Sequence, residues 1–115
     1  MIYFEKVTKI YFNGAPPAVA DITLGIDPGE FVSLVGHSGA GKTTLLKMLM
    51  AEEEPTSGKV FFGSVNVHKV KRGELNMLRR RMGAIFQDFR LLSKKNVFEN
   101  IAFAMEAAGR PQSEI

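Results

Sequence analysis

Cysteine is absent from the 115 residues, which excludes disulfides and thiolate metal sites and fits a reducing compartment. Long apolar runs are missing as well. No stretch approaches the length needed to cross a bilayer, and Glu5 stands where a secretory signal would carry its apolar segment, so neither a span nor secretion is expected. Charge of one sign is scarce: 15 Lys and Arg against 12 Asp and Glu leave a net charge of +3. The basic residues are dispersed apart from Lys69 to Arg72 and Arg79 to Arg81, which read as solvated faces, and no nucleic-acid partner is expected. There is no internal repeat and no low-complexity segment. A hydrophobic content of 45% supports a globular core, and the length allows one domain or part of one.

Against these absences stands one informative stretch, Gly36-His37-Ser38-Gly39-Ala40-Gly41-Lys42-Thr43, which fits G-x-x-x-x-G-K-[ST] in full. The run Phe31-Val32-Ser33-Leu34-Val35 before it reads as a buried strand, and Leu45, Leu46 and Leu49 after it recur at helical spacing. Strand, loop and helix are the context a phosphate-binding loop requires. Gly36, Gly39 and Gly41 let the backbone turn tightly so that successive N–H groups converge on phosphate oxygens. The helix beginning near Gly41 adds the positive end of its dipole. Lys42 supplies an ammonium for the β- and γ-phosphates, and the Thr43 hydroxyl is a hard ligand suited to Mg²⁺. Ser38, Ala40 and Thr44 complete the expected nucleotide contacts. His37 and His68 have no coordinating or catalytic role in this reading.

In chain order, Ile2 to Phe12 reads as a strand ending at the turn Asn13-Gly14. Val19 to Ile26 alternates Ile22, Leu24 and Ile26 with Asp21, Thr23 and Gly25, the pattern of a strand with one buried face. Asp27-Pro28-Gly29-Glu30 turns the chain toward Phe31, which predicts antiparallel pairing of the segments it joins. The phosphate-loop helix should reach about Ala51 before Glu52-Glu53-Glu54-Pro55 stops it. Lys59 to Phe62 is a short strand and Val65 to Val67 a candidate for another. Glu74 to Met82 has helical periodicity, and Met82 to Phe86 reads as a buried parallel strand ending at Gln87. Asn96 with Glu99 three residues on forms a variant capping box for a helix entered at Val97 and stopped at Gly109-Arg110-Pro111.

The loop motif alone leaves kinases, GTPases and transport ATPases open. Pro28-Gly29-Glu30 before the loop, Pro55-Thr56-Ser57-Gly58 after its helix, and Gly83-Ala84-Ile85-Phe86-Gln87 further on resemble, in order and spacing, the N-terminal half of the ABC ATPase family. Phe86 to Leu92 and Val97 to Phe103 are most similar to the bacterial cell-division members of that family. The fold this implies is α/β, a P-loop NTPase of ABC type, with a small antiparallel β layer and the start of a parallel-strand core with helices. Residues 1–115 would be the N-terminal part of one ATP-binding domain.

The resemblance also implies ATP and Mg²⁺ as cofactors, Tyr11 as the aromatic that stacks on adenine, and Gln87 as the residue that reaches Mg²⁺ and positions the attacking water. Tyr11 would act through its ring, with no part for its hydroxyl. An integral membrane partner subunit is implied at the loop and helix after Gln87. A homodimer of ATP-binding domains on the cytoplasmic face of the plasma membrane follows from the same likeness. Alternatives are the ATPase of another ABC system, such as lipoprotein export or amino-acid import, or a P-loop kinase outside the family. Glu52 to Glu54 depart from the family in standing where a glycine usually closes the loop helix, and Asn96 replaces a usual threonine. The family's signature segment, its catalytic glutamate at an acidic strand end and its switch histidine have no match here. The chain is therefore expected to bind nucleotide without hydrolysing it.

Overall fold

The β-branched and aromatic N-terminal run forms strand β1 (Ile2–Lys9), and the alternating segment after the loop forms β2 (Val19–Ile26), in a computed structural model that describes residues 1–39 and 41–115. Helix α1 (Lys42–Leu49) follows, then β3 (Ser57–Phe62), β4 (Val65–Asn66), α2 (Arg72–Arg79) and α3 (Val97–Ala107). The chain divides into two units, Met1–Leu75 and Asn76–Ile115.

In the first unit four strands make an antiparallel sheet in the order β2-β1-β3-β4. Phe4 and Val7 of β1 are both buried, although three residues of separation would send them to opposite faces of a regular strand. A bulge resolves this. Lys6 takes φ 46°, the pairing shifts between Phe4 and Val7, and the extra residue returns Val7 to the core face. Asp21 on β2 mirrors it with φ 47°. Two threonines satisfy the displaced amides: Lys6 N–H donates to Thr23 Oγ1 at 3.2 Å, and Asp21 N–H to Thr8 Oγ1 at 2.9 Å. The core is completed by Val19, Leu45, Met48, Val60 and Val67, with Met48, Val7 and Val60 fully enclosed. Enclosing an aliphatic side chain of this size contributes about 1.5–3 kcal/mol.

Pro55-Thr56-Ser57-Gly58 has a steric reason. Gly58 sits at φ +88°, and a Cβ there would lie 2.3 Å from the Lys6 carbonyl oxygen, inside the β1 bulge. Thr56 carries the pairing beyond the ladder: its N–H donates to Thr8 O at 2.8 Å and its Oγ1 accepts from Ile10 N–H at 2.9 Å. In Asp27-Pro28-Gly29-Glu30, Glu30 N–H donates to Asp27 O while the Glu30 carboxylate accepts from Asp27 N–H at 2.8 Å. This closes the turn on itself.

Several sequence expectations are corrected. Phe31 to Val35 is not a buried strand: it has no ladder partner, and Phe31 and Val35 are 93% and 90% exposed. The antiparallel partner of β2 is β1, so the turn at Asp27 does not make a hairpin. Met82 to Phe86 likewise forms no strand, and Ile85 is exposed. Both runs are apolar enough for a strand, but a strand needs a ladder neighbour, and a parallel one is reached only through a crossover. The unit that holds each run supplies no such neighbour among the described residues. Helix α1 ends at Leu49 and α2 at Arg79, each earlier than the periodicity suggested.

In the second unit the capping box is present as the sequence indicated. Asn96 Oδ1 accepts from Glu99 N–H at 2.8 Å, and Glu99 Oε2 from Asn96 N–H at 2.9 Å. Gly109 at φ +77° ends the last turn after Ala108.

Candidate functional site

The first unit carries the phosphate loop between Val35 and α1. Gly39 and Gly41 have φ of +83° and +96°, a left-handed backbone that disfavours any residue with a Cβ. At Gly41 there is a second reason: a Cβ would lie 2.4 Å from the Ala18 carbonyl oxygen, where the loop passes close to the start of β2. Among the described residues, the backbone N–H groups of Gly36, His37, Ser38, Gly39 and Gly41 donate to no backbone carbonyl. A row of such donors leading into a helix N-terminus is the donor set of an anion cradle.

Lys42 opens α1 and turns back over the loop, its ammonium donating to Gly36 O at 2.5 Å and His37 O at 2.8 Å. The cation is thus held above the cradle by the backbone that forms it. Thr43 follows in the first turn with an exposed side chain, a neutral hydroxyl suited to a hard cation. Thr44 points the other way. It is 9% exposed, and its hydroxyl shares a 3.1 Å hydrogen bond with the Tyr11 hydroxyl. His37 donates from Nδ1 to Ser38 O at 2.8 Å, which ties its ring to the loop. Ala40 lies outside the described residues.

Tyr11 stands just past β1, after the Ile10–Thr56 bond, and is 43% exposed. The loop and Tyr11 are therefore joined within one unit, through Thr44 on α1. Two residues that sequence reasoning left out hold this corner. Lys9 Nζ lies 5.2 Å from the Tyr11 ring centroid, donates to Glu54 O at 2.7 Å and pairs with the Glu53 carboxylate at 3.5 Å. His68, half-buried, donates from Nε2 to Glu53 O at 2.9 Å. The signal was the acidic run at 52–54, of which the Glu53 carboxylate meets the ammonium at the end of β1.

Gln87 belongs to the second unit, in an exposed turn rather than at a strand end. The turn is tight: Phe89 and Arg90 take φ of 61° and 48°, Arg90 N–H donates to Asp88 O at 2.7 Å, and the guanidinium lies 3.8 Å from the Phe86 ring centroid. Asp88 is 3.7 Å from Arg90 Nε. Asn100 on α3 clamps the loop before it, accepting from Leu92 N–H at 2.8 Å and donating to the carbonyls of Asn96 and Lys95 at 2.8 and 3.1 Å. Leu91, Leu92, Val97 and Ile101 line a shallow groove beside this clamp. Among the described residues no three acidic or histidine side chains gather as a metal site, and no helix is long and apolar enough to cross a membrane.

Comparison with known proteins gives the family and the fold. A family model described as ABC transporter matches residues 19–114. The cell division ATP-binding protein FtsE of Mycobacterium tuberculosis is 47% identical over 110 residues, covering 96% of this chain and 48% of that protein. The methionine import ATP-binding protein MetN of Geobacillus kaustophilus is also 47% identical, over 99% of this chain and 34% of its own length. Among solved structures, a dimeric ATP-binding cassette in a post-hydrolysis state bound to ADP and Pi superposes with a TM-score of 0.86 at 32% identity, covering 96% of this chain and 49% of that one. The chain spans about half the length of the first relative and about a third of the second. A phosphate loop on a small antiparallel sheet, a capped helix beyond the glutamine turn, and a family match across most of the sequence agree: the chain belongs to the ABC transporter family of ATP-binding proteins.

Proposed function

We propose that this chain is the nucleotide-binding N-terminal part of an ATP-hydrolysing subunit that works in cell division with an FtsX-like membrane partner. The observation that carries the nucleotide part is the Lys42 ammonium held over a row of loop N–H groups at the start of α1. The loop N–H groups and Lys42 bind the β- and γ-phosphates, Tyr11 offers its ring to adenine, and Thr43 holds Mg²⁺. Bound there, Mg²⁺ would neutralise charge between the phosphates. Gln87 orders the attacking water. Two such subunits form a dimer, as in the solved cassette.

Lys42→Ala removes a charge-assisted donor and should weaken ATP binding by about 1.5–3 kcal/mol, read by titration with a fluorescent nucleotide. Coincident curves for the two proteins would sink the assignment.

A second reading, methionine import, is supported by a relative of equal identity. Both readings place the membrane subunit on the exposed apolar residues Phe89, Leu91 and Phe98 of the second unit. Co-expression of the complete subunit with an FtsX-like protein or with a methionine permease separates them. Co-purification with the first, lowered by Leu91→Asp while ATP binding is kept, supports cell division; co-purification with the permease alone replaces it.

A further inference from the structure

The Lys9 ammonium, the Tyr11 ring and the acidic segment at Glu53 and Glu54 meet at one corner of the first unit, and nothing in the phosphate chemistry uses this arrangement. Lys9 is the last residue of β1, with its side chain only 15% exposed. Its ammonium has two anchors, the Glu54 carbonyl at 2.7 Å and the Glu53 carboxylate at 3.5 Å. Those anchors are themselves fixed, because His68 holds the Glu53 carbonyl and Glu53 N–H donates to Lys47 O at the end of α1. The cation therefore stays near one face of the Tyr11 ring, 5.2 Å from its centroid and within the range where an ammonium attracts the ring quadrupole.

The ring has a second tether at its far end, the hydroxyl bond to Thr44. A phenol held at its tip by α1 and on one face by Lys9 has lost most of its freedom to swing, while 43% of the residue remains open to solvent. Holding an aromatic platform before its ligand arrives removes an ordering cost from binding.

We infer that Lys9 is a positioning residue for the base platform, holding Tyr11 so that one ring face is presented to adenine while the ammonium occupies the other. This rests on the reading that Tyr11 carries the base. The Glu54 carbonyl, at 2.7 Å, is the contact that keeps the ammonium at the ring.

The test separates base from phosphate. Calorimetric titration of the full chain with ATP and with inorganic tripolyphosphate, each with Mg²⁺, gives the two affinities for every variant. Lys9→Met should weaken ATP about two- to fivefold and leave tripolyphosphate unchanged, and Lys9→Arg, whose guanidinium also sits over a ring, should restore ATP affinity. Parallel loss of both ligands in Lys9→Met would overturn the inference, since Lys9 would then act through folding or the loop. Unchanged ATP affinity would overturn it too. Glu53→Gln keeps the cation and its bond to Glu54, so it should retain ATP affinity; if it reproduced the Lys9→Met loss, the ion pair and not the ring would be the operative contact. Tyr11→Ala distinguishes failure of the underlying reading: an unaltered ratio of ATP to tripolyphosphate affinity there would mean that the base sits elsewhere.

Discussion

At the scale of single residues, the same atom types do different work according to what their neighbours leave them. Thr43 and Thr44 are adjacent, yet one hydroxyl is exposed beside the loop and the other is buried against Tyr11. Sequence motif alone treats both as nucleotide contacts, because the motif specifies the residue type and not the direction of each side chain around the first helical turn. The Tyr11 hydroxyl likewise gains a role that a stacking argument does not supply. Tyr11→Phe keeps the π-face but takes a partner from the buried Thr44 hydroxyl, a change that costs about 1 kcal/mol. The expected outcome is a melting temperature lowered by several degrees with ATP affinity within about twofold. An unchanged melting temperature would mean that the hydroxyl pair contributes nothing. The two loop glycines were legible for their conformation. The approach of Ala18 O to Gly41 was not, because it depends on where β2 begins relative to the loop, a tertiary fact with no local pattern.

Elements that carry their own stop and start signals were readable, and those defined by partners were not. The helix entered at Val97 has its cap, its reciprocal glutamate and its terminal glycine written within fourteen residues, from Asn96 to Gly109, and it forms between those marks. The alternation of Ile22, Leu24 and Ile26 locates β2 to the residue for the same reason. Phe31 to Val35 and Met82 to Phe86 are also apolar, but a strand exists only through its neighbours, and composition cannot supply them. The β1 bulge was also hidden, since Lys6 and Asp21 are ordinary polar residues within β1 and β2 whose positive φ accompanies the placing of Phe4 and Val7 in one core. In the second unit the contact that fixes the loop is the Asn100 side chain, one turn beyond the cap. Asn100→Ala frees the Leu92 amide and the Lys95 carbonyl, while the capping box and the backbone N–H bond from position 100 to Asn96 O stay in place. Net hydrogen bonds of this kind are worth about 0.5–1.5 kcal/mol each. Amide exchange at Leu92 should therefore accelerate by at least about tenfold, with exchange at Glu99 little changed. Equal acceleration at both positions would show that the loop and the cap open together, and that Asn100 supports the helix instead.

Over the whole molecule, the distribution of parts decides what 115 residues can do alone. The phosphate cradle, Lys42 and Tyr11 lie in Met1–Leu75 with a core of their own around Val7, Met48 and Val60, so the parts proposed to hold nucleotide share one unit. The residue proposed to order water, Gln87, lies in Asn76–Ile115, whose α3 has no buried residue. Phe89, Leu91, Val97, Phe98, Ile101 and Phe103 are each more than half exposed. A segment with so much open apolar surface is suited to a partner and is prone to associate without one. Phosphoryl transfer needs positioned water and charge neutralisation in addition to a cradle. The acidic candidates in the second unit do not fit that task. Asp88 is engaged by Arg90, Glu99 is used in the capping box, and Glu106 lies near the exposed end of α3. The purified chain should therefore bind nucleotide weakly and release no phosphate above background. Sustained phosphate release, abolished by Lys42→Ala so that a contaminant is excluded, would overturn this and locate a catalytic acid among those three side chains.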